Sequence, residues 1–298
     1  MTFVPISQFI VTSFWLKSFV KFLNLTVIIF FINTSCATKS FILNQTEFVS
    51  FYFDNKIKSL ENGVHLDSNQ ERNLIKTKIE YAYGILMEEG DMLLDHDYHK
   101  SIKYYRKSNE LFKDAKKSSI DLISYRHPKF EEWLVNNYEI IFTKDDINDL
   151  YWLAAAIGGS VKSSRGSDPF MLINLPTIGK LLKTAIEIDS SWGNGKLYSA
   201  MMSYTTVRPD LSGKKLDDAI NFYYEKALQH SDSLDASIFV SYAESVHKPK
   251  QEKKEYIEKL NYVIKMDVEK GGLNEISNII SKRRARWLLS KTEDYFIE

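Results

Sequence analysis

A single cysteine, Cys36, among 298 residues excludes a disulfide framework and any thiolate zinc site, both of which need several thiols. Glycine and proline are scarce, 12 and 6, about half their usual share. That scarcity removes turn-dense all-β folds, collagen-like repeats and low-complexity disorder. Net charge is missing as well, because 39 basic and 39 acidic residues cancel. Without a basic excess there is no broad positive field to neutralise phosphates, so no nucleic-acid partner is expected. What the chain does have is 44% hydrophobic and 13% aromatic residues, enough for a sizeable core in one or two domains.

Acidic residues are absent before Glu47, although the rest of the chain is densely charged. Within that acid-free stretch, Lys17 and Lys21 precede eleven apolar to weakly polar residues, Phe22 to Ile32. This is the length of a signal-peptide core and too short to cross a bilayer as a helix. Asn33-Thr-Ser-Cys36 follows, with small residues just ahead of the cysteine. The arrangement resembles a bacterial lipoprotein signal: residues 1–35 would be removed and Cys36 would become the lipid-modified, palmitate-bearing N-terminus. Two other readings stay open, an uncleaved anchor over residues 8–32 and an idle Cys36 thiol. Two or more lipid chains anchor a protein stably. Loss of Lys17 and Lys21 would leave 37 basic and 39 acidic groups. The expected address is extracytoplasmic, on the periplasmic side, with the lipid in the inner or outer membrane.

Residues 36–68 form a linker and N-terminal region in this reading, and residues 69–298 a helical domain. Leu74, Ile75, Ile79, Ala82, Tyr83, Leu86 and Met87 keep to one helical stripe, with Asp67-Ser68-Asn69 suited to capping its start. A second helix is expected from about Tyr98, carrying Ile102, Tyr105, Leu111 and Phe112 on one face. Pro128 suits the opening of another over 129–137, and Asp145-Asp146 precede a strongly apolar one beginning at Leu150.

The helices repeat. Leu181-Leu-Lys-Thr-Ala185-Ile and Tyr223-Tyr-Glu-Lys-Ala227-Leu both set bulky residues ahead of an alanine followed by an aliphatic. Tyr262-Val-Ile is a weaker copy and Tyr104-Tyr-Arg-Lys-Ser108 a divergent first one. Ala185 and Ala227 are 42 residues apart, Ala227 and Val263 36, and Ser108 and Ala185 77, about two units. Such a period marks helical hairpins that bury their faces only by stacking on one another. A small side chain at a fixed point lets two helices approach closely. The fold class expected is all-α, tetratricopeptide-like (TPR-like) hairpins stacked as a short α-solenoid behind a signal segment.

Three strings occur in order: Leu150-Tyr-Trp-Leu-Ala-Ala-Ala-Ile-Gly158, Leu181 to Gly195 ending Asp-Ser-Ser-Trp-Gly-Asn-Gly, and Arg283-Arg-Ala-Arg-Trp-Leu-Leu289. Tyr242-Ala-Glu244 falls between the last two. Together they resemble the T component of tripartite ATP-independent periplasmic (TRAP) transporters, a TPR-like lipoprotein family, over roughly residues 70–295. The resemblance implies a non-catalytic accessory protein with four cryptic TPR-like hairpins and no cofactor. It implies association with the periplasmic solute-binding protein of a TRAP importer, and a homotrimer with an apolar pore. A TPR-like scaffold lipoprotein in outer-membrane or envelope assembly is the alternative. The segment from Ser160 to Pro169 is read as a loop, more polar than an apolar ligand path would suit.

Catalytic constellations are few. Asp95-His-Asp-Tyr-His99 is a dense ligand-like cluster, read chiefly as a polar turn rather than a metal site. His65, His127, His230 and His247 stand alone near loops or helix ends. Gly158-Gly159-Ser160 and Gly193-Asn-Gly195 lack the spacing of a phosphate loop, and the latter fits a helix stop with positive φ. No catalytic residue and no metal is assigned. The partner or ligand surface is assigned to Tyr151, Trp152, Trp192, Asn194, Arg283 and Arg286. Within Lys282-Arg-Arg-Ala-Arg286, Arg283, Arg286 and Trp287 share one helical side suited to pairing with acids or stacking.

Overall fold

One helix begins where its expected capping residue stands. Asp67 accepts backbone N–H bonds from Asn69 and Gln70, and Gln70 returns one to the Asp67 N–H at 3.1 Å, closing a reciprocal cap. The computed structural model in which these bonds are seen describes residues 45–63, 67–136, 138–167 and 169–297. The expected signal segment, the alternative anchor over 8–32, Cys36 and His65 lie outside the described residues. No strand occurs among those described, and no helix there is long and apolar enough to cross a membrane.

α1 (Thr46–Glu61) lies inside the segment expected as a linker and N-terminal region. It packs on α2 (Ser68–Tyr81) through stacked Phe53 and Tyr81 rings 4.9 Å apart, and Asp54 takes a 2.8 Å bond from Lys107. α2 runs through a π-helical stretch, Ala82–Met87, into α3 (Glu88–Leu93). This composite helix pairs with α4 (Tyr98–Arg126), the first hairpin. After the short α5 (Phe130–Val135), α6 (Ile147–Ser164) pairs with α7 (Leu175–Ile188). α8 (Lys196–Thr205) then pairs with α9 (Gly213–His230). The fourth hairpin joins α10 (Ala236–Tyr242), prolonged by a π stretch Ala243–His247, to α11 (Lys253–Lys265). α12 (Glu275–Ser290) and the single turn α13 (Thr292–Tyr295) complete the chain.

The repeat positions land on matching places. Ser108, Ala185, Ala227 and Val263 each lie on the second helix of successive hairpins, and all four are 0% exposed. The 77-residue gap before Ala185 holds no extra hairpin. A 29-residue α4, the short α5 and an irregular run ahead of α6 fill it instead. α6 also continues through much of the expected polar loop, as far as Ser164. Its serines are masked there: Ser160 Oγ donates to the Ala156 carbonyl at 3.0 Å, and Asn109 from α4 donates to Ser160 O and Ser163 Oγ, both at 3.0 Å. Hydroxyls that bond back into their own helix need no water and can be buried.

Close approach is achieved by missing side chains. Gly159 sits inside α6, where an added Cβ would lie 2.4 Å from the Phe112 ring, so this glycine serves packing of α6 on α4. Gly193, Asn194 and Gly195 all have positive φ, at 68°, 51° and 90°, the tight turn expected between α7 and α8. A Cβ on Gly195 would meet the Ala227 carbonyl oxygen at 2.6 Å. The two small residues therefore face each other across the α8–α9 joint.

The first helices of successive hairpins are neighbours: α2 touches α6, α6 touches α8, α8 touches α10 and α10 touches α12. The series then closes. Gly84 faces Ile280, Arg283 bonds Glu89 across 194 residues of sequence, and Lys291 bonds Asp95 at 3.0 Å across 196. The near-constant separation means that α12 runs parallel to the α2–α3 composite, one turn against one turn. The stack is a ring of parallel first helices rather than an open-ended solenoid.

Candidate functional site

α6 divides its aromatic pair between two surroundings. Tyr151 makes ring contacts with Trp152 at 5.1 Å and Trp192 at 5.2 Å. Burial, reinforced by the carboxylates of Asp235 and Glu80, raises the Tyr151 hydroxyl above its ordinary range. Those two acids belong to the α10 cap and to α2, so Tyr151 faces the space bounded by the first helices. Tyr83, whose hydroxyl donates to the Ala155 carbonyl at 3.1 Å, stands beside it and is raised by the same causes, burial first and Tyr151 second. Both phenols are neutral over the working pH range and offer dipoles and ring faces rather than acid–base chemistry.

Trp152, one residue on, turns toward the core between α2 and α4. Its Nε1 donates to Asn148 Oδ1 at 3.2 Å, and it packs with the cluster built on Ile75, Ile79 and Phe112. Trp192 is half-buried and Asn194 exposed at the turn before α8. Tyr151 and Trp192 thus share one surrounding with Asn194 at the exposed turn, and Trp152 touches Tyr151 from the core side. The arginines stand elsewhere, on α12.

On α12 the geometry differs from the one-sided arrangement expected of Arg283, Arg286 and Trp287. Arg283 pairs with Glu89 and reaches Met92 Sδ at 3.5 Å. Arg286 is exposed, with no ion pair among the described residues. The centre is Arg284, only 7% exposed. It bonds Glu244 through Nε at 3.1 Å and Nη2 at 2.6 Å, and its Nη1 is 2.6 Å from Asp91 and 3.6 Å from Glu88. Trp287 lies under the guanidinium at 4.6 Å. Burial pushes the Glu88 carboxyl up to about 7; Arg284 opposes that shift, while Glu244 and Asp91 add to it. Glu88 Oε2 has no hydrogen-bond partner. The acids sit at the two π-helical stretches: Glu88 and Asp91 just after the first, Glu244 inside the second. An inserted residue shifts the register of side chains along a helix, and here both insertions lie in the helices that flank α12.

Arg284 was missed because the pairing and stacking side of the basic run was placed on Arg283, Arg286 and Trp287. Helical spacing was the available signal: Asn278, Ile279, Ser281, Arg284, Ala285 and Leu288 are the buried positions of α12, so an arginine four residues before Leu288 points inward.

The remaining cluster candidates have ordinary partners. Asp95 holds Lys291, and Asp97 caps α4 by accepting from the Lys100 N–H at 2.9 Å. No three His, Cys, Asp or Glu side chains converge as a metal set among the described residues. His127 bonds Asp146 at 3.0 Å, and His230 stacks on Tyr198 at 5.1 Å. His247 is the exception: its Nδ1 lies 2.6 Å from Glu252, while Nε2 is buried and unpartnered.

The family model described as TRAP transporter T-component matches residues 55–296, from within α1 to beyond α13. A protein of Treponema pallidum (strain Nichols), named only as uncharacterised, is 19% identical over 248 residues, covering 79% of this chain and 76% of its own.

Proposed function

The chain belongs to the TRAP transporter T-component family, an accessory component of that transport system, and on that premise we propose that it acts without catalysis by binding the periplasmic solute-binding protein. The match over residues 55–296 carries this reading, since it spans all four hairpins and α12. A ring of stacked hairpins supports it physically: such a scaffold offers an extended, pre-organised surface whose binding costs little ordering entropy. The aromatic run of Tyr151, Trp152 and Trp192, with Asn194 at the exposed turn, is the surface assigned to partner or ligand. Arg286, exposed on α12, is a polar contact assigned apart from it; Arg283 contributes by holding α12 against α3. In this reading Cys36 carries the lipid, confines the protein to the periplasmic face of a membrane and raises its encounter rate with a membrane-bound importer. A homotrimer belongs to the same proposal.

Affinity purification from native membranes tests the central claim. A TRAP solute-binding protein is expected to co-elute with the wild-type chain, and its absence under conditions that retain the chain's own oligomer would overturn the assignment. Cys36→Ser should abolish palmitate labelling and release the protein from membranes. Labelling that persists in this variant would refute the anchor while leaving the partner test intact.

A further inference from the structure

A second recess lies away from the aromatic run, between α11 and the α10 composite. It has a volume of about 340 Å³ and is lined by Glu255, Glu258, Lys259 and Tyr262 on one side and Phe239 and His247 on the other. The four α11 residues follow the spacing i, i+3, i+4 and i+7, one stripe of a helix. The volume falls within the range of small-molecule sites, and the lining joins two rings to four polar side chains.

The polar groups lack the partners they would ordinarily take. Lys259 is one helical turn after Glu255, the position for an ion pair, yet no carboxylate lies within ion-pair distance of it among the described residues. Its ammonium instead donates to Tyr224 Oη at 3.0 Å and sits 4.8 and 4.9 Å from the Tyr224 and Tyr242 ring centres. Burial lowers its pKa, as expected of a cation without a counter-charge. Glu258 is held only loosely by Lys254 at 4.0 Å. His247 is 9% exposed. Its Nδ1 lies 2.6 Å from the Glu252 carboxylate, and its Nε2 is buried without a hydrogen-bond partner.

We propose that this recess binds a small zwitterion with an apolar body, of the size and chemistry of an apolar α-amino acid. Lys259 takes the carboxylate, Glu255 and Glu258 take the ammonium, and Phe239 and Tyr262 hold the side chain. A purely anionic ligand would meet two carboxylates, and a purely cationic one would meet Lys259. Only a molecule carrying both charges satisfies every lining group.

Equilibrium dialysis of the mature chain with L-phenylalanine, checked by calorimetry, tests this. Saturable binding at one site per chain is expected. 3-Phenylpropanoate, which lacks the ammonium, and phenethylamine, which lacks the carboxylate, should each bind at least tenfold more weakly. Lys259→Met and the double variant Glu255→Gln/Glu258→Gln should each weaken L-phenylalanine at least tenfold. Tyr262→Ser, at a position 48% exposed, gives a variant that keeps the core should Lys259→Met fail to fold, and it should weaken binding likewise. No saturable binding of L-phenylalanine or L-leucine up to about 10 mM would overturn the proposal. So would equal affinity for the singly charged analogues, or affinity unchanged in folded Lys259→Met and Tyr262→Ser.

Discussion

Arg284→Met is expected to lower the unfolding free energy by about 3–5 kcal/mol at neutral pH, because removing one partner of a buried ion cluster leaves the rest uncompensated. The substitution keeps the volume and deletes the charge, so Glu244, Asp91 and Glu88 are left around an apolar side chain. These acids lie on α3 and on the π stretch after α10, with Arg284 on α12. The loss should therefore be felt where the ring closes, and hydrogen exchange should rise in α3 and α12 before it rises in α6 and α7. Three carboxylates against one guanidinium also fix the pH dependence. Burial raises the Glu88 carboxyl from its ordinary value near 4.5 to about 7, so folding favours its protonated form. Stability is fullest below the unfolded value near 4.5, declines as pH rises through 7, and has lost its whole contribution above that. Glu88→Gln removes this decline, stabilising the protein by up to about 3 kcal/mol at pH 8 and by nothing near pH 4. Urea denaturation across that range measures both variants. An Arg284→Met protein as stable as wild type at pH 7, or a Glu88→Gln gain that does not grow with pH, would show that this cluster does not hold the ring shut.

Gly195→Ala is the second large effect, with a loss of about 3 kcal/mol or more from two sources. A residue with a Cβ at positive φ costs roughly 1–2 kcal/mol. The added carbon would also lie 2.6 Å from the Ala227 carbonyl oxygen, a backbone atom of α9 that cannot swing aside as a flexible side chain can. Gly213→Ala separates the two. Gly213 also has positive φ, at 52°, but nothing lies within 4 Å of its added Cβ. It should lose only the backbone share. Equal losses at the two glycines, read from urea midpoints, would remove the close-approach argument for the α8–α9 joint.

The repeat was legible because it is written in local sequence. Ala185 and Ala227 reveal themselves by being small among bulky neighbours, and both prove to be sealed at the same place on successive second helices. The cap at Asp67 and the turn at Gly193-Asn194-Gly195 were legible for the same reason, each being decided by residues a few positions apart. The segment from Ser160 to Ser164 was misjudged as loop because serine hydroxyls can bond to their own helix and to Asn109, which composition does not register. The 77-residue interval was misjudged because one long helix and two short hairpin elements occupy similar lengths of chain.

Sequence by itself determined an all-α chain and the phase of its hairpins, since helical periodicity and small-residue spacing act over one or two turns, and the ordered strings at 150–158, 181–195 and 283–289 carried the likeness to a transporter family. Only the tertiary structure decided that the stack closes on itself, that Arg284 rather than Arg286 is the buried arginine, and that Lys259 stands without an acid beside a recess. Contacts across about 190 residues depend on the accumulated rotation of four hairpins, and two π-helical stretches change that rotation by a residue each. No local pattern carries the sum.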